Sequence, residues 1–501
     1  MMRHLVLTSG QTRDAEAGAI EAGTPSLMLM HRAGQGVADA IVREWPAPAR
    51  ISVLCGPGNN GGDGFAVACR LSALGYTVTV HAVEPERMRG DAGQVASEWG
   101  GEVLRLDDFD PTRADLVVDA LLGIGLARDV DDPMSGAIER ALASRVPVLA
   151  VDVPSGLDAD TGRPRGTAFR AARTVTFISR KPGHLLYPGR DYCGEVEVVD
   201  IGVRTPESRE PRIVTNAPAT WSAAFPRPTQ TGHKYDRGHA VVLSGGATHT
   251  GAARLAARGA LRVGAGLVTV FSPGDALLAN AVHLTAIMLR VCEDPAALTS
   301  LLHDERFNAL ALGPALGVGP RTRDWVEAAL SADRATVLDA DALTSFSGNL
   351  DRLADLVGRQ RSRPVVLTPH DGEFRRLFGE DAASIPSKVE RALAGARRAG
   401  AILILKGPDT VIAAPDGRVA INRNGSPHLA TAGSGDVLGG IVAGLLAQGM
   451  PGFEAACAAV WLHAEAATAF GPGLIAEDLP EMLPQVLTRL RAGEGRAGSS
   501  T

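Results

Sequence analysis

Aromatic residues, paired cysteines and long apolar segments are all scarce in this sequence. Aromatics make up 4% of the 501 residues, and the five cysteines include no CxxC pair, so neither a disulfide framework nor a cysteine-rich metal site is expected. No stretch approaches about eighteen uninterrupted apolar residues, and the N-terminus lacks a signal-peptide core, which argues against membrane insertion and secretion. Unpaired thiols of this kind are typical of a cytoplasmic protein.

Runs of like charge are also absent, although both signs are well represented. The 50 basic and 56 acidic residues give a net charge of -6, which argues against nucleic-acid binding and a polybasic membrane anchor. A small molecule is therefore the expected partner. Glycine, in contrast, is abundant at 58 residues, and this favours an α/β enzyme whose backbone approaches a phosphate closely.

The length predicts two or three domains at about 150 residues each, and the first part of the chain alternates strand and helix patterns. From Ile51 an apolar run is followed by a Gly-rich loop, a helix from about Gly64 and another strand, which is a βαβ unit. This alternation predicts a mostly parallel sheet in a Rossmann-like three-layer α/β/α domain. Its other predicted elements are strands at 115–119, 147–152 and 174–178 and a helix at 135–143.

A second α/β series begins near Ala240 and does not repeat the first, so two different folds are joined in one chain. A Pro- and Thr-rich stretch without periodicity separates them. We expect a first domain at 1–216, a linker at 217–230, a second domain at 231–492 and a disordered tail at 493–501. The second series comprises strands at 240–246, 266–271, 309–312, 336–339, 364–368 and 402–406 and a helix at 251–263.

The Gly-rich segment GPGNNGGDG, at 56–64, lies where the first strand ends and a helix begins. Backbone N–H groups at such a point can hold a phosphate, helped by the helix dipole. A tight turn without a ligand is the alternative for any Gly-rich loop. The two Asn and the Asp inside the segment favour a ligand site, because a plain turn needs no oriented amide or carboxylate groups.

Acidic residues close the next two strands, Asp119 on one and Asp152 on the other. Open α/β sheets bind ligands at the carboxyl ends of their strands. Together with Asn60 and Ser155, these ends bring oxygen ligands together and predict a monovalent or divalent cation site. For either Asp alone, an N-cap or turn role is an equal alternative.

The motifs NNGGDG, DALLGIGL, DVPSGLDADTG and TVTFISRKPGH resemble, in order and spacing, the NAD(P)H-hydrate epimerase domain. The resemblance covers about residues 3–215. It implies interconversion of the R and S forms of NADHX and NADPHX, which are nicotinamide cofactors hydrated at C6, with K⁺ held by Asn60, Asp119 and Ser155. The residues it implies for binding the hydrate are Asn59, Asn60, Gly61, Gly62, Asp63, Gly123, Ile124, Gly125, Leu126, Ala127, Arg128, Asp129 and Asp152.

We predict Asp152 as the catalytic group of the epimerase site. It ends an apolar strand beside the expected cation, and Pro154 fixes the following turn. Because the cation would favour the ionised carboxylate, its basicity must come from positioning. A turn-capping role is the alternative.

A second Gly-rich helix start, TAGSGD at 431–436, precedes an apolar helix. Such glycines form an anion site for a transferring phosphoryl group, and Asp436 can accept a proton from an attacking hydroxyl. A bare GxGD also fits a helix start with an acid that favours the dipole. The surrounding motifs decide against that alternative.

This GxGD helix start resembles the ribokinase-like kinases, and the motifs around it are similar to the NAD(P)H-hydrate dehydratase. They are LGPALG, VLDADAL, LTPHDGEF, LKGPDT and NGSPHLATAGSGDVLGG, within about residues 230–490. The resemblance implies a ribokinase-like α/β domain in which ADP, with Mg²⁺, phosphorylates the hydrate hydroxyl, and loss of phosphate restores the nicotinamide ring.

The resemblance also implies the residues of this second site, with Asp436 as the base. Ala315 stands where relatives usually have Gly, and Tyr235 interrupts the usual opening motif. An extra methyl at Ala315 is expected to crowd the ligand. The implied nucleotide-binding residues are Lys406, Gly407, Pro408, Asp409, Thr410 and Gly435, and the implied hydrate-binding residues are Ala252, Gly317, His370 and Asp436.

These observations together predict a bifunctional nicotinamide-cofactor repair enzyme that acts on NADHX, NADPHX and ADP as a homo-oligomer. One alternative is a ribokinase-type small-molecule kinase with a nucleotide-binding first domain. Another is a first domain that binds without catalysing. The combined presence of Asn60, Asp119, Asp152 and Ser155 argues against the latter.

Overall fold

The computed structural model describes residues 4–205, 211–360 and 362–497, with side chains described as far as residue 492. The chain divides near residue 210 into two compact units. Both are α/β structures, as the sequence predicts. Among the described residues, no helix is both long and apolar enough to cross a membrane.

The first unit is built on a parallel sheet in the order β4-β3-β2-β5-β6-β7-β8. The chain runs from β2 outward to β4 and then returns to β5 on the other side of β2, so the strand order reverses between β2 and β5. Open sheets bind ligands at such a reversal. The elements are β1 (Leu5–Val6), α1 (Ser9–Glu21), α2 (Ser26–Glu44), β2 (Arg50–Cys55), α3 (Asn59–Ala73), β3 (Thr77–Ala82), α4 (Gly90–Glu98), β4 (Val103–Arg105), β5 (Leu116–Ala120), α5 (Met134–Ser144), β6 (Val148–Val151), β7 (Arg173–Phe177), α6 (Gly189–Cys193) and β8 (Glu195–Val199).

Helix α3 begins at Asn59, five residues before the predicted start at Gly64. Close packing explains the glycines in its first turns. A Cβ on Gly61 would lie 1.9 Å from the carbonyl oxygen of Gly56, and one on Gly64 would lie 2.6 Å from Cβ of Ala120. Glycine normally disfavours helix by about 1 kcal/mol, and here the absence of a side chain is what lets the helix reach the sheet.

The second unit is built on a mixed sheet in the order β9-β18-β17-β16-β15-β14-β13-β10-β11-β12. Every pair of neighbouring strands from β12 through β11, β10, β13, β14 and β15 to β16 is parallel. The pairs β16-β17 and β17-β18 are antiparallel. The elements are β9 (Arg212–Asn216), β10 (His239–Leu243), α7 (Gly251–Val263), β11 (Leu267–Ser272), α8 (Leu277–Ala281), β12 (Met288–Val291), α9 (Pro295–Leu301), β13 (Ala309–Leu312), α10 (Pro320–Ser331), β14 (Ala335–Leu338), α11 (Asp341–Thr344), α12 (Leu350–Gly358), β15 (Val365–Leu367), α13 (Asp371–Phe378), α14 (Glu380–Ala383), α15 (Lys388–Ala399), β16 (Ile402–Leu405), β17 (Val411–Ala413), β18 (Arg418–Asn422), α16 (Ser434–Ala447), α17 (Gly452–Phe470) and α18 (Asp478–Ala497).

The ends of the two units differ from the expected domain boundaries. Strand β9 pairs with β18 over five residues, so 212–216 belongs to the second unit and not to the first domain. Within the expected linker, Trp221 is only 2% exposed and packs in the core of the second unit. Helix α18 continues to Ala497, into the tail expected to be disordered, and residues 498–501 of that tail lie outside the described residues.

Helices α7 and α16 pack against each other over the sheet of the second unit, and small residues let their backbones approach closely. Helix α16 is buried from Val437 to Ala447. A Cβ on Gly440 would lie 2.0 Å from the carbonyl oxygen of Ala256, whereas a Cβ on Gly439 would meet nothing within 4 Å. The adjacent glycines therefore have different reasons to be glycine. Since α16 carries Asp436, this contact also positions the second candidate site.

The contact between α7 and α16 gives a prediction with a matched control. Gly440→Ala should destabilise the second unit by about 1–3 kcal/mol, because the new methyl must displace the backbone of α7. Gly439→Ala should leave stability unchanged or raise it by up to about 1 kcal/mol through better helix propensity. Melting temperatures of the two variants, measured beside the parent, distinguish them. Equal melting temperatures would contradict the packing argument.

Candidate active sites

The first candidate site lies where the strand order of the first unit reverses. Asp119, near the end of β5, is fully buried and pairs in register with Leu54 of β2 and Ala150 of β6. Ser155 binds it twice: Ser155 Oγ donates to Asp119 Oδ1 at 2.5 Å, and the Ser155 backbone N–H donates to Oδ2 at 2.7 Å. The structure thus brings together two of the three residues predicted to bind a cation.

Asn60, the third predicted ligand, reaches the same loop from the first turn of α3. Its side chain lies against Gly123, where a Cβ would be 3.2 Å from Asn60 Oδ1, and its buried Nδ2 has no hydrogen-bond partner within the described part of the chain. Gly123 follows Leu122, whose backbone N–H donates to Ser155 Oγ at 2.8 Å. Asn60, Asp119 and Ser155 therefore face one short segment.

The electrostatics and the oxygen donors of this cluster fit a hard cation. Burial raises the pKa of Asp119 to about 7, although hydrogen bonds from Ser155 and Leu121 lower it. Among the described residues no basic side chain pairs with Asp119, so its charge lacks a partner in a medium where an unpaired charge is costly. The available donors are carboxylate, hydroxyl and amide oxygens, which hard cations prefer.

Asp152 follows β6 and forms the centre of a second buried network. Its Oδ1 accepts hydrogen bonds from Lys181 Nζ at 2.5 Å and Thr176 Oγ1 at 2.8 Å. Burial raises its pKa, but the charge and hydrogen bond of Lys181, together with the hydrogen bond of Thr176, outweigh burial, so the net pKa is lowered. Its φ of 66° is a left-handed conformation that side-chain-bearing residues avoid, and such strain collects at functional sites. Lys181, rather than the expected cation alone, keeps Asp152 ionised.

Lys181 and His184 belong to the motif TVTFISRKPGH, but no role was predicted for either. Lys181 is fully buried and also donates to Thr176 Oγ1 at 2.8 Å and the carbonyl of Phe177 at 3.2 Å. His184 accepts from the Lys181 N–H at Nδ1, so its Nε2 carries the proton and donates to the carbonyl of Asp152 at 3.0 Å. Burial lowers the pKa of His184 to about 3, and it stays neutral. The signal in the sequence that could have identified Lys181 is a lysine within an apolar pattern.

Two further carboxyl groups interact with the charge of Asp152, namely those of Asp63 on α3 and Glu16 on α1. Burial and the charge of Asp152 raise the pKa of both. Asp63 is a predicted hydrate-binding residue, whereas Glu16 was missed. Carboxyl groups whose pKa values are shifted in opposite directions can serve as proton donor and proton acceptor in one site. The arrangement can thus hold a proton beside an ionised Asp152.

The remaining predicted hydrate-binding residues border this site. Asn59 to Gly62 form the start of α3, whose first N–H groups have no partner within the helix. Residues 123–129 form an irregular loop after β5, and Gly125, Ala127, Arg128 and Asp129 are exposed on it. These positions remain predictions, and the loop lies at the correct end of the sheet for them.

The second candidate site lies at the start of α16. Asp436 lines a small cavity together with Ala252 on α7 and Asp339 after β14. Burial and the nearby charge of Asp339 raise the pKa of Asp436 to about 6, and Lys406 opposes this effect. A carboxylate with such a pKa can accept a proton near neutral pH. Two predicted hydrate-binding residues, Ala252 and Asp436, are therefore adjacent.

A larger pocket of about 430 Å³ adjoins Lys406 and α16. Its walls also include apolar side chains such as Leu438 and Val460, which suit a flat ring. Asp409 is the one predicted nucleotide residue outside it, since its carboxylate accepts from the buried Lys388 Nζ at 2.6 Å. The predicted nucleotide residues that line the pocket are Lys406, Gly407, Pro408, Thr410 and Gly435.

His370 and Gly317 line neither of these two cavities. His370 Nδ1 accepts from the Gly372 N–H at 2.9 Å and caps α13, so the structure gives it a structural role. Gly317 donates its N–H to Asp341 at 2.9 Å. Ala315 has a φ of 63°, a conformation in which glycine carries less strain than alanine. Substrate contacts of His370 and Gly317 remain predictions.

Two known families match the chain, one on each side of the division between the two units. The family described as YjeF-related protein N-terminus matches residues 26–183. The family described as NAD(P)H-hydrate dehydratase matches residues 240–489. Each match lies within one unit; the first contains Asp63, Asp119 and Asp152, and the second contains Asp339 and Asp436.

Proteins that match over the whole length combine both parts. The bifunctional NAD(P)H-hydrate repair enzyme of Salinibacter ruber is 38% identical over 98% of this chain and 97% of its own length. The enzyme of that name from Moorella thermoacetica is 40% identical over 93% of each. The ADP/ATP-dependent NAD(P)H-hydrate dehydratase of Bacillus subtilis, crystallised with ATP and Mg²⁺, is 29% identical over 55% of this chain and 98% of its own, with a TM-score of 0.49. This chain belongs to the family of bifunctional NAD(P)H-hydrate repair enzymes.

Proposed function

We propose that the first unit interconverts R- and S-NAD(P)HX and that the second converts S-NAD(P)HX to NAD(P)H at the expense of ADP. The observation that carries this proposal is the match of both families, in the order found in full-length relatives, to the two units that hold the carboxylate sites. A ribokinase-type small-molecule kinase would not account for the first unit.

In the epimerase site, Asn60, Asp119 and Ser155 would hold K⁺. Potassium there would supply a positive charge that helps bind and orient the polar substrate. Asn59 to Asp63 and residues 123–129 would hold the hydrate. Asp152, kept ionised by Lys181, would act on the ring at C6, where inversion requires a proton to move.

In the dehydratase site, Asp436 would take the proton from the C6 hydroxyl as that oxygen attacks the terminal phosphorus of ADP. The bond to the leaving AMP breaks, and the phosphorylated hydrate then loses phosphate from C6 and a proton from C5, which restores the ring. The N–H groups at the start of α16 and the Lys406 ammonium would balance the charge on the transferring phosphoryl group. The Asp339 carboxylate already pairs with Lys406. Magnesium would therefore be bound chiefly by phosphate oxygens and water.

The proposal also covers the cellular location, the substrates and the oligomeric state of the protein. All five cysteines are free thiols, which suits the reducing cytoplasm. Substrates would be NADHX, NADPHX and ADP, and the active form would be a homo-oligomer, whose mass light scattering measures.

The direct test uses a mixture of R- and S-NADHX with ADP. The parent protein should restore NADH absorbance completely, because both activities act in sequence. Asp436→Asn should abolish recovery, with a loss of about a hundredfold to ten-thousandfold in dehydration rate, since an amide cannot take the proton. Its R-to-S conversion, followed by chromatography, should match the parent. Near-parental dehydration by Asp436→Asn would contradict the proposed base.

The cation assignment is tested with Asp119→Ala, which removes the one full charge among the three ligands. We expect weaker K⁺ binding and slower epimerisation, with ADP-dependent turnover of pure S-NADHX unchanged. Thermal unfolding of the first unit provides a readout independent of activity. Potassium chloride should raise the melting temperature of the parent more than sodium chloride does, and this difference should vanish in Asp119→Ala. A preserved difference would refute the assignment.

A test of Asp152 requires a variant that does not leave the buried Lys181 without a partner. Asp152→Ala would leave the Lys181 ammonium without its carboxylate, at a cost of about 3–5 kcal/mol, and would confuse folding with catalysis. Asp152→Asn keeps an oxygen acceptor, and the double variant Asp152→Asn/Lys181→Met removes both charges. Both should lose R-to-S conversion, and the double variant should melt near the parental temperature. Parental conversion in a folded variant would exclude Asp152 from the chemistry.

A further inference from the structure

Asp339 stands out because it borders the proposed base and has no role in the proposed reaction. It follows β14, inside the motif VLDADAL, and its N–H donates to the carbonyl of Leu312 on β13 at 3.2 Å. Its side chain is 7% exposed, and the residue lines the same small cavity as Asp436. The backbone therefore holds its carboxylate next to the reacting group.

Asp339 also anchors the lysine that lines the nucleotide pocket. Lys406 Nζ donates to Asp339 Oδ1 at 2.8 Å and lies 3.7 Å from Glu373 Oε2. A Cβ placed on Gly435 would lie 3.6 Å from Lys406 Nζ and 3.9 Å from Asp339 Oδ2. The ion pair is thus packed directly against the start of α16, one residue before Asp436.

The charges that act on Asp436 come from two strand ends. Asp339, after β14, opposes ionisation of Asp436, and Lys406, after β16, favours it. Glu373, on α13, raises the pKa of Lys406, whereas the pKa of Asp436 responds to burial, Asp339 and Lys406. The base therefore responds chiefly to burial and then to the negative charge of Asp339.

We propose that Asp339 is a positioning residue of the dehydratase site, which holds Lys406 beside the phosphates and places a second negative charge next to Asp436. The second charge makes Asp436 a stronger base than a lone carboxylate would be. The ion pair keeps that charge from repelling the nucleotide, because Lys406 balances it. This inference rests on the proposed dehydration by Asp436.

The test is the pH dependence of kcat/KM for S-NADHX with saturating ADP, followed as initial rates of AMP formation. Asp436 must be ionised to accept a proton, so the parental rate should fall tenfold per pH unit below about pH 6. Asp339→Asn keeps an acceptor for Lys406 but removes the charge, so Asp436 should ionise more easily. The acidic limb should move to lower pH, by on the order of one pH unit.

Three further variants separate charge from structure. Asp339→Glu retains the charge and should restore the acidic limb toward the parental position. Asp339→Ser carries the same expectation as Asp339→Asn and serves if the latter does not fold. Glu373→Gln also removes one negative charge from Lys406, and its limb should stay where the parental limb lies.

The outcomes distinguish this inference from the function on which it rests. An acidic limb of Asp339→Asn at the parental pH would overturn the inference, as would an equal displacement in Glu373→Gln. Absence of AMP and NADH with the parent protein would instead refute the proposed dehydration. A parental enzyme that is active and titrates near pH 6, with only the Asp339 limb displaced, supports both.

Discussion

Burial of carboxylates at the carboxyl ends of parallel strands is the constraint on which both candidate sites depend. An ionised carboxylate removed from water costs several kcal/mol unless a charge or hydrogen bonds compensate it. Asp152 is compensated by Lys181 at 2.5 Å and Asp339 by Lys406 at 2.8 Å. Among the described residues Asp119 accepts hydrogen bonds from neutral donors, and this uncompensated charge is the basis of the proposed cation site.

The two lysines solve the same problem with different consequences. Lys181 is fully buried and donates to three acceptors, so its charge is fixed on Asp152 and the surrounding backbone. Lys406 retains a 20% exposed side chain and lines the nucleotide pocket, so it can also meet a phosphate. One pair stabilises an ionised group within a site, and the other also presents a positive charge to a ligand.

Several parts of the sites could be predicted because the relevant residues lie at the carboxyl ends of strands that the sequence pattern itself reveals. Asp119 and Ser155 each follow an apolar strand, and parallel strands end at one edge of the sheet. Lys181 could not be assigned in this way, because a lysine is rarely fully buried and only the adjacency of β6 and β7 places its side chain on Asp152. The start of α3 was misplaced because propensity treats glycine as a helix breaker, whereas packing against Gly56 and Ala120 requires it.

The sequence by itself determined the two α/β units, the order of their motifs and the carboxylates that close their strands. Local patterns encode these features, since strand periodicity and Gly-rich turns are properties of neighbouring residues. Only the tertiary structure decided which carboxylates are paired with lysine, where β9 belongs and why Asp436 holds a raised pKa of about 6. Those outcomes depend on burial and on charges from distant segments, which meet only after the sheet has formed.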